Sequence, residues 1–407
     1  MEDEKAVSLI TINLNGGKLT HELLDSIRGL DYPADKIEVI VVDNGSTDGS
    51  AKFIEERYLG VRLIRNDCNM GFAYPCNQGA RIARGDYVAF VNNDVRLDRS
   101  WLREMLGHID RENGVVCAGS KILSADGTKI DFIGGVVNYV GLAHQRHFGE
   151  DADKYDEPEK KELLFACGGA MLMDRKVFLD VGGFDEDFFA FFEDVDLGWR
   201  LWVMGYKVAF APTAVAFHRH HQTAGKIPRH MLMTLYERNS LYTIFKNYDE
   251  ENLKKALSTA LIMSQVRSLD FAGIDASGYI IGGGADELRK RKDNPVQASY
   301  RRVMGRFLEI LSSILLDLRL NSRMCLRDRQ KRFVSALGPA PVCFSQAAAA
   351  SHFCLNLPRM KAKRAAVQEG RKRSDAEIIA RFPDSFGMAD AIARYDRLGK
   401  ILKDTWE

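Results

Sequence analysis

The stretch KIEVIVVDNGSTDGS, Lys36 to Ser50, decides how the first hundred residues are read. Ile37 to Val42 is apolar apart from Glu38 and rich in β-branched side chains, which suits a strand covered on both faces. Asp43 to Gly49 then gathers Asp, Asn, Ser and Gly, residues that favour turns and helix caps. Upstream, LTHELLDSIRGL sets Leu19, Leu23, Leu24, Ile27 and Leu30 on one helical face. Downstream, AKFIEERY is helical, VRLIRND a strand, YPCNQGARIARG a helix closed by Gly85, and DYVAFVNNDV a strand. AVSLITINL supplies a strand ahead of all of these. Strand–helix alternation of this kind predicts a parallel sheet with helices on both faces. Ligands of such sheets collect beyond the carboxyl ends of the strands. Those ends are Asn13, the turn at 43–49, NDCNMGFA at 66–73 and NND at 92–94, and they should share one rim.

Further along, SWLREMLGHI reads as a helix, GVVCAGSKIL as a strand and KIDFIGGVVNYVG as a hairpin. A charged segment at 149–162 reads as a solvent loop. LLFACGGAMLMDR is expected to be a strand with Gly168 and Gly169 at its centre, and YKVAFAPTAVAFHRHH holds another strand. Beyond Pro228 the pattern becomes helical, interrupted by a Gly-rich linker at 278–287.

A chain of 407 residues suits one large domain with an extension, or two domains. Its net charge of +1 conceals an asymmetry: residues 1–240 carry 28 Lys+Arg against 37 Asp+Glu, and residues 241–407 carry 29 against 19. An acidic front and a basic back suggest two units with different partners. The seven cysteines include no C-x-x-C pair, which points to free thiols in a reducing compartment. The acidic start is not a secretory signal, and no run of about 18 apolar residues appears. The expected location is the cytoplasm, with attachment to the inner face of the membrane left open.

No G-x-G-x-x-G follows the first strand and no G-x-x-x-x-G-K-[ST] occurs, so neither a dehydrogenase fingerprint nor a P-loop is present. A turn and a helix cap account for Gly45 and Asp48. They do not require Asp43 at the apolar end of the strand, where a carboxylate can accept a hydrogen bond from a ring N–H of a base. A second acidic group, in FFEDVDLGWR, puts Glu193, Asp194 and Asp196 directly behind a run of aromatics. First-turn acids complement the helix dipole, and Asp196 and Arg200 are spaced for an i,i+4 pair. Crowded, desolvated carboxylates also mark catalytic sites. On this stretch alone the two readings stand level.

The succession TINLNG, VVDNGSTDGS, NMGFAYPCNQG, VNNDV, GGAMLMDRKVFLDVGGFDEDFFAFFEDVDLGWRL, GYKVAFAP with a following His, and ERN resembles the family 2 glycosyltransferases. It looks most like their bacterial rhamnosyltransferase-like branch and covers about residues 6–245. The resemblance implies an α/β GT-A fold, a Rossmann-like mixed sheet of the nucleotide-diphospho-sugar transferase kind. It also implies a nucleotide-sugar donor, a divalent metal and inversion at the anomeric carbon. By the resemblance, Thr11 and Asn13 touch the nucleoside, and Asp43 with Asn44 and Ser46 reads a uracil or thymine. Asn69, Gly71 and Asn77 approach the ribose and diphosphate at a helix start, where an anion is favoured.

VNNDV corresponds to the family's D-x-D-like signature, with Asn92 in place of the first acid. Asn92 can still contact ribose or metal-bound water, but it brings no charge. Asp94 and His218 match the protein ligands of Mn2+ or Mg2+, and the histidine tilts the choice toward Mn2+. The family's catalytic base maps onto Asp194, which would take the proton of the acceptor hydroxyl. Crowding and desolvation should raise its pKa. Glu193 would orient sugar hydroxyls, while Asp196 pairs with Arg200. Gly168 and Gly169 mark a place where a sugar can approach closely, with a bulge as the plain alternative. Arg238 and Asn239 match a position near the phosphates. Trp199, Trp202 and Met204 read as core.

The mainly α-helical, basic region 241–407 is less legible. VMGRFLEILSSILLDL at 303–318 is an amphipathic stripe that suits packing against helices or a second subunit, or an anionic membrane surface. RMKAKR and GRKRSD read as solvated, and nucleic acid is disfavoured because no aromatics are interleaved with the charges. The expected division is a GT-A domain over 1–240 and a helical region over 241–407 for membrane-surface, acceptor or oligomer contacts. The expected function is inverting, metal-dependent transfer from a UDP- or dTDP-sugar, with dTDP-rhamnose as a candidate, to a polysaccharide or lipid-linked oligosaccharide. The rivals are a sugar nucleotidyltransferase, for which NLNGGKLT supplies only Lys18, and a non-catalytic carbohydrate- or partner-binding subunit on the same fold.

Overall fold

The computed structural model describes residues 4–155, 162–219, 227–271 and 344–386. The first half alternates as its periodicities predict: β1 (Val7–Asn13), α1 (Gly17–Arg28), β2 (Ile37–Asp43), α2 (Ser50–Arg57), β3 (Val61–Arg65), α3 (Ala73–Ile82), β4 (Tyr87–Val91). β1 pairs in parallel with β2 and β4, and β2 with β3. The chain therefore moves outward from β1 to β3 and then returns to the other side of β1. That reversal opens a crevice between the carboxyl ends of β1 and β4. The register sets Asn13 beside Asp43 there.

The second half makes the sheet mixed. β5 (Val95–Leu97), α4 (Trp101–Gly107), β6 (Val115–Ser124), β7 (Ile130–Phe132), β8 (Gly135–Val137) and β9 (Ala143–Gln145) come next. β10 (Ala170–Asp174), α5 (Arg175–Asp180), α6 (Glu193–Val203) and β11 (Lys207–His218) complete it. The strand order is β3-β2-β1-β4-β10-β6-β11-β5, with β7 paired to β6. β10 runs antiparallel to both β4 and β6, which brings its start to the rim where β4 ends.

Two local expectations are corrected. KIDFIGGVVNYVG is not a hairpin: Gly134, at φ +137°, breaks the run, so β7 returns to β6 while β8 pairs with β9. Gly168 and Gly169 are not within a strand either. They form a turn closed by Ala170 N–H donating to Cys167 O at 3.1 Å, and β10 begins after it.

Four helices follow: α7 (Arg229–Asn247), α8 (Glu250–Phe271), α9 (Ser345–Glu369) and α10 (Asp375–Arg381). α9 lies along α7, and α10 reaches Trp202 of α6 through Phe382, with ring centroids 5.1 Å apart. Trp199 and Trp202 are fully buried, as core residues should be. The basic runs are solvated only in part: Arg359, Lys361 and Lys372 are exposed, while other cations of the runs are engaged. Lys363 and Arg359 pair with Asp187, and Arg373 donates to the carbonyls of Trp202, Gly205 and Tyr206. Residues 278–287 and 303–318, with His220 and His221, lie outside the described residues. Among the described residues no helix is long and apolar enough to cross a membrane, and Cys76, Cys117, Cys167 and Cys354 are free thiols.

Candidate active site

At the ends of β1 and β2, Asn13 is a hub. Its Nδ2 lies 2.7 Å from Asp43 Oδ1, 3.0 Å from Ser46 Oγ and 2.8 Å from Ser50 Oγ. Its Oδ1 accepts from Thr20 Oγ1 at 2.8 Å and from Gly16 N–H at 3.2 Å. The other Asp43 oxygen accepts from Ser46 N–H at 3.1 Å. Asp43 is thus held rigidly, while each of its oxygens keeps a second lone pair for a ligand. Thr11 is buried in β1, and its hydroxyl has no partner. Asn44 donates to Asn69 Oδ1 at 2.9 Å and to Gly71 O at 2.8 Å, pinning the loop after β3 against the turn after β2. Asn93 closes the row by donating to Thr20 Oγ1 at 3.2 Å.

Two expected donor contacts are otherwise engaged. Asn77 donates to Phe184 O at 2.8 Å and accepts from Phe184 N–H at 2.9 Å, so its amide joins α3 to the loop ahead of α6. The α3 start is also occupied: Phe72 N–H and Ala73 N–H donate to Phe189 O. Arg238 donates to Phe188 O at 2.7 Å and to Asn239 Oδ1 at 2.9 Å. Asn239 Nδ2 in turn lies 3.1, 2.9 and 2.7 Å from the carbonyls of Phe188, Ala190 and Phe191.

Beyond β4, Asn92 N–H donates to Gly169 O at 2.9 Å. Gly168 N–H donates to Asp194 Oδ2 at 2.8 Å, so the Gly168–Gly169 turn links the NND segment directly to the catalytic candidate. A Cβ on Gly168 would stand 3.5 Å from that of Asp194, and one on Gly169 3.1 Å from Asn92 Nδ2. Asp194 Oδ1 accepts from Val195 N–H at 2.8 Å. Burial raises its pKa against the opposing pull of these backbone donors. Glu193 is raised well above the usual range by burial and then by the charges of Asp194 and Asp196, and its Oε2 has no partner. Asp196 accepts from Arg200 Nε at 2.8 Å, as its spacing predicts, and also from Lys246 Nζ at 2.8 Å.

On the other side, His218 at the end of β11 faces Asp94, with Nε2 3.2 Å from Oδ1. Its Nδ1 lies 2.6 Å from Oδ2 of Asp131 in β7. Burial alone would lower the imidazole pKa, but hydrogen bonds and charge from Asp131 and Asp94 raise it to about 9. Two ligands at right angles, about 2.1 Å from one ion, stand about 3 Å apart, so the Asp94–His218 spacing fits a shared divalent cation. Asp131 supplies the carboxylate that turns Nε2 toward it. Among the described residues no cluster of three or more ligating side chains surrounds this point. Two protein ligands with room for substrate oxygens suit a metal shared with a diphosphate. Cys167 bridges the halves, since its burial-raised thiol feels the charges of both Asp194 and Asp131. Asp131 and Tyr236, whose phenol senses Glu193 and Asp194, were not singled out from sequence. An acid inside the apolar run KIDFIGG was the available signal for Asp131.

The sheet order, the crevice at β1/β4 and the carboxylates on its rim define a GT-A nucleotide-sugar transferase fold. A crystal structure of GalNAc-T7 with UDP, GalNAc and Mn2+ shares it at a TM-score of 0.52 and 16% identity, over 71% of this chain and 54% of that one. Residues 8–182 match the sequence model of Glycosyl transferase family 2. The N-acetylglucosaminyl-diphospho-decaprenol L-rhamnosyltransferase of Mycobacterium tuberculosis is 28% identical over 213 residues, which is 47% of this chain and 69% of the relative. The O-antigen biosynthesis protein RfbC of Myxococcus xanthus is 31% identical over 229 residues, covering 54% of this chain but only 18% of that protein.

Proposed function

We propose that this chain moves a sugar from a UDP- or dTDP-sugar to a polysaccharide or lipid-linked oligosaccharide, with inversion and with help from Mn2+ or Mg2+. The similarity to a protein named as an L-rhamnosyltransferase makes dTDP-rhamnose the first donor to try. The observation that carries the reading is the join at Gly168–Gly169, which ties Asp194 to the segment bearing Asp94. Asp43 accepts the ring N–H of the base, on a support built by Asn13 and Ser46. Thr11, Asn44, Asn69, Gly71 and Asn92 line or shape the donor rim, and Asn77 acts through Phe184. Asp94 and His218 hold the cation, which when bound offsets charge on the departing diphosphate. Asp131 accepts the Nδ1 proton of His218 and so aims Nε2 at the cation, which on binding would take the place of the Nε2 proton.

Asp194 takes the acceptor proton as the hydroxyl attacks opposite the leaving group. Its two backbone N–H donors fix the carboxylate and oppose the rise in pKa that burial causes, and burial makes it more basic than a surface aspartate. Glu193, Gly168 and Gly169 border the sugar, and Arg238 acts by supporting the turn before α6. Residues 1–240 would carry donor binding and chemistry. Residues 241–407 would meet the acceptor, the inner membrane surface or a second copy.

The test is a thermal-shift panel of UDP, dTDP, GDP and CMP with and without Mn2+, followed by assay of nucleoside diphosphate release from dTDP-rhamnose. Stabilisation by UDP or dTDP that grows with Mn2+ is expected. Stabilisation by GDP alone would overturn the base assignment. Asp131→Asn should weaken Mn2+ binding about 10- to 100-fold by titration calorimetry, independently of turnover.

A further inference from the structure

We infer that α9 completes the catalytic centre in cis: Lys363, together with Lys246 of α7, is a positioning residue that fixes the turn presenting Glu193 and Asp194. This rests on the reading of Asp194 as the base. Residue 363 lies far outside the segment matched by the family, 8–182.

The turn needs external support. Phe189, Phe191 and Phe192 all hold positive φ, at 67°, 68° and 69°, and Glu193 begins α6 immediately after them. Left-handed backbone is unfavourable for bulky residues and persists only where the surroundings over-determine it. From α7, Asn239 and Arg238 bind the carbonyls of Phe188, Ala190 and Phe191. From below, Lys246 Nζ joins Asp185 Oδ2 at 2.6 Å to Asp196 Oδ2 at 2.8 Å, which ties the start of the turn to the catalytic helix. From α9, Lys363 contacts Asp185 Oδ1 and lies 2.5 Å from Asp187 Oδ2, while Arg359 reaches Asp187 Oδ1 at 2.7 Å. Asp185 thus receives one lysine from each helix, and both helices restrain the same residues ahead of Asp194.

Lys363 is not needed to attach α9. Phe353 and Met360 are buried against the core, and Asn356 donates to Tyr242 Oη at 2.7 Å. Gln368 Nε2 donates to Lys246 O at 2.9 Å. The Lys363 side chain is 32% exposed, so its removal should leave the helix docked. The effect would then fall on the turn.

The test uses the full chain with Lys363→Met and Lys363→Arg, measuring steady-state transfer and amide hydrogen exchange. For Lys363→Met we expect kcat to fall about tenfold with donor KM nearly unchanged, since small misplacements of a reacting group are costly in rate. Amides of Phe189–Asp194 should lose protection while those of α7 and β1–β4 keep theirs, and Lys363→Arg should restore most of kcat. Unchanged protection across Phe189–Asp194, or unchanged kcat beside an inactive Asp194→Asn, would overturn the inference. If Asp194→Asn stays active, the base reading fails instead, and the exchange data still decide whether α9 holds the turn.

Discussion

Glu193 and Asp194 are neighbours with different surroundings. Asp194 is held by the N–H groups of Gly168 and Val195, whereas Glu193 is buried with one oxygen unpartnered. Asp194→Asn should lower transfer by about 10²- to 10⁴-fold, the usual share of a general base, while nucleotide-induced thermal shifts stay as in the parent protein. Retained turnover would remove its role. Glu193 gives a pH signature. Its folded-state pKa is raised by burial and by Asp194 and Asp196, with Cys76 of α3 and Tyr236 of α7 facing it from their own elements. The folded state therefore holds the proton more tightly than the unfolded chain, so its contribution is greatest below the unfolded pKa and declines as pH rises toward the folded one. Glu193→Gln should gain stability relative to the parent between pH 4 and pH 8, read as the difference in denaturation midpoint. A pH-independent difference would contradict this. Asp43 and Asp194 could be picked out in the sequence, because an acid at a strand's apolar end and an acid behind aromatics are both locally costly. The engaged amide of Asn77 could not, since its partner is 107 residues away.

Among the elements, the turn before α6 depends on a glycine elsewhere. Gly71 sits at φ +86°, and a Cβ there would stand 2.2 Å from Phe189 O. Gly71→Ala combines a left-handed penalty of about 1–2 kcal/mol with a clash against the carbonyl that the α3 start requires. We expect a loss of at least about 2 kcal/mol in urea unfolding, accompanied by weakened transfer. Period and length sufficed for β1–β4 and α1–α3; β1, β4 and the apolar face of α1 are buried as their own patterns mark, while β3 at the sheet edge is only half-buried. They failed at KIDFIGGVVNYVG and LLFACGGAMLMDR. There, pairing is set by which distant strand lies alongside: β6 takes β7, and β10 starts only where β4 and β6 flank it. A strand run carries no label for its partner.

Across the whole molecule, the acidic front and basic back are partners of each other. Lys363 and Arg359 meet Asp185 and Asp187, and Arg381 meets Glu162. Lys246 is the most buried of these cations, with its side chain 2% exposed between Asp185 and Asp196. Lys246→Ala would leave two buried carboxylates short of a counter-charge, and about 3–5 kcal/mol of stability should be lost in chemical denaturation. Lys52→Ala, which removes an exposed pair with Glu56, should leave the midpoint unchanged. Equal effects of the two would show that the buried network adds nothing.

The sequence by itself determined the alternating sheet, the family resemblance and the acids to inspect, because hydrophobic period, turn chemistry and isolated buried charge are written locally. Tertiary structure decided what those residues touch. The Asp131–His218–Asp94 row, the Gly168–Asp194 hydrogen bond and the two lysines on Asp185 each join segments far apart in the chain. Charge says that a residue needs a partner, and only the folded chain says which partner comes within reach.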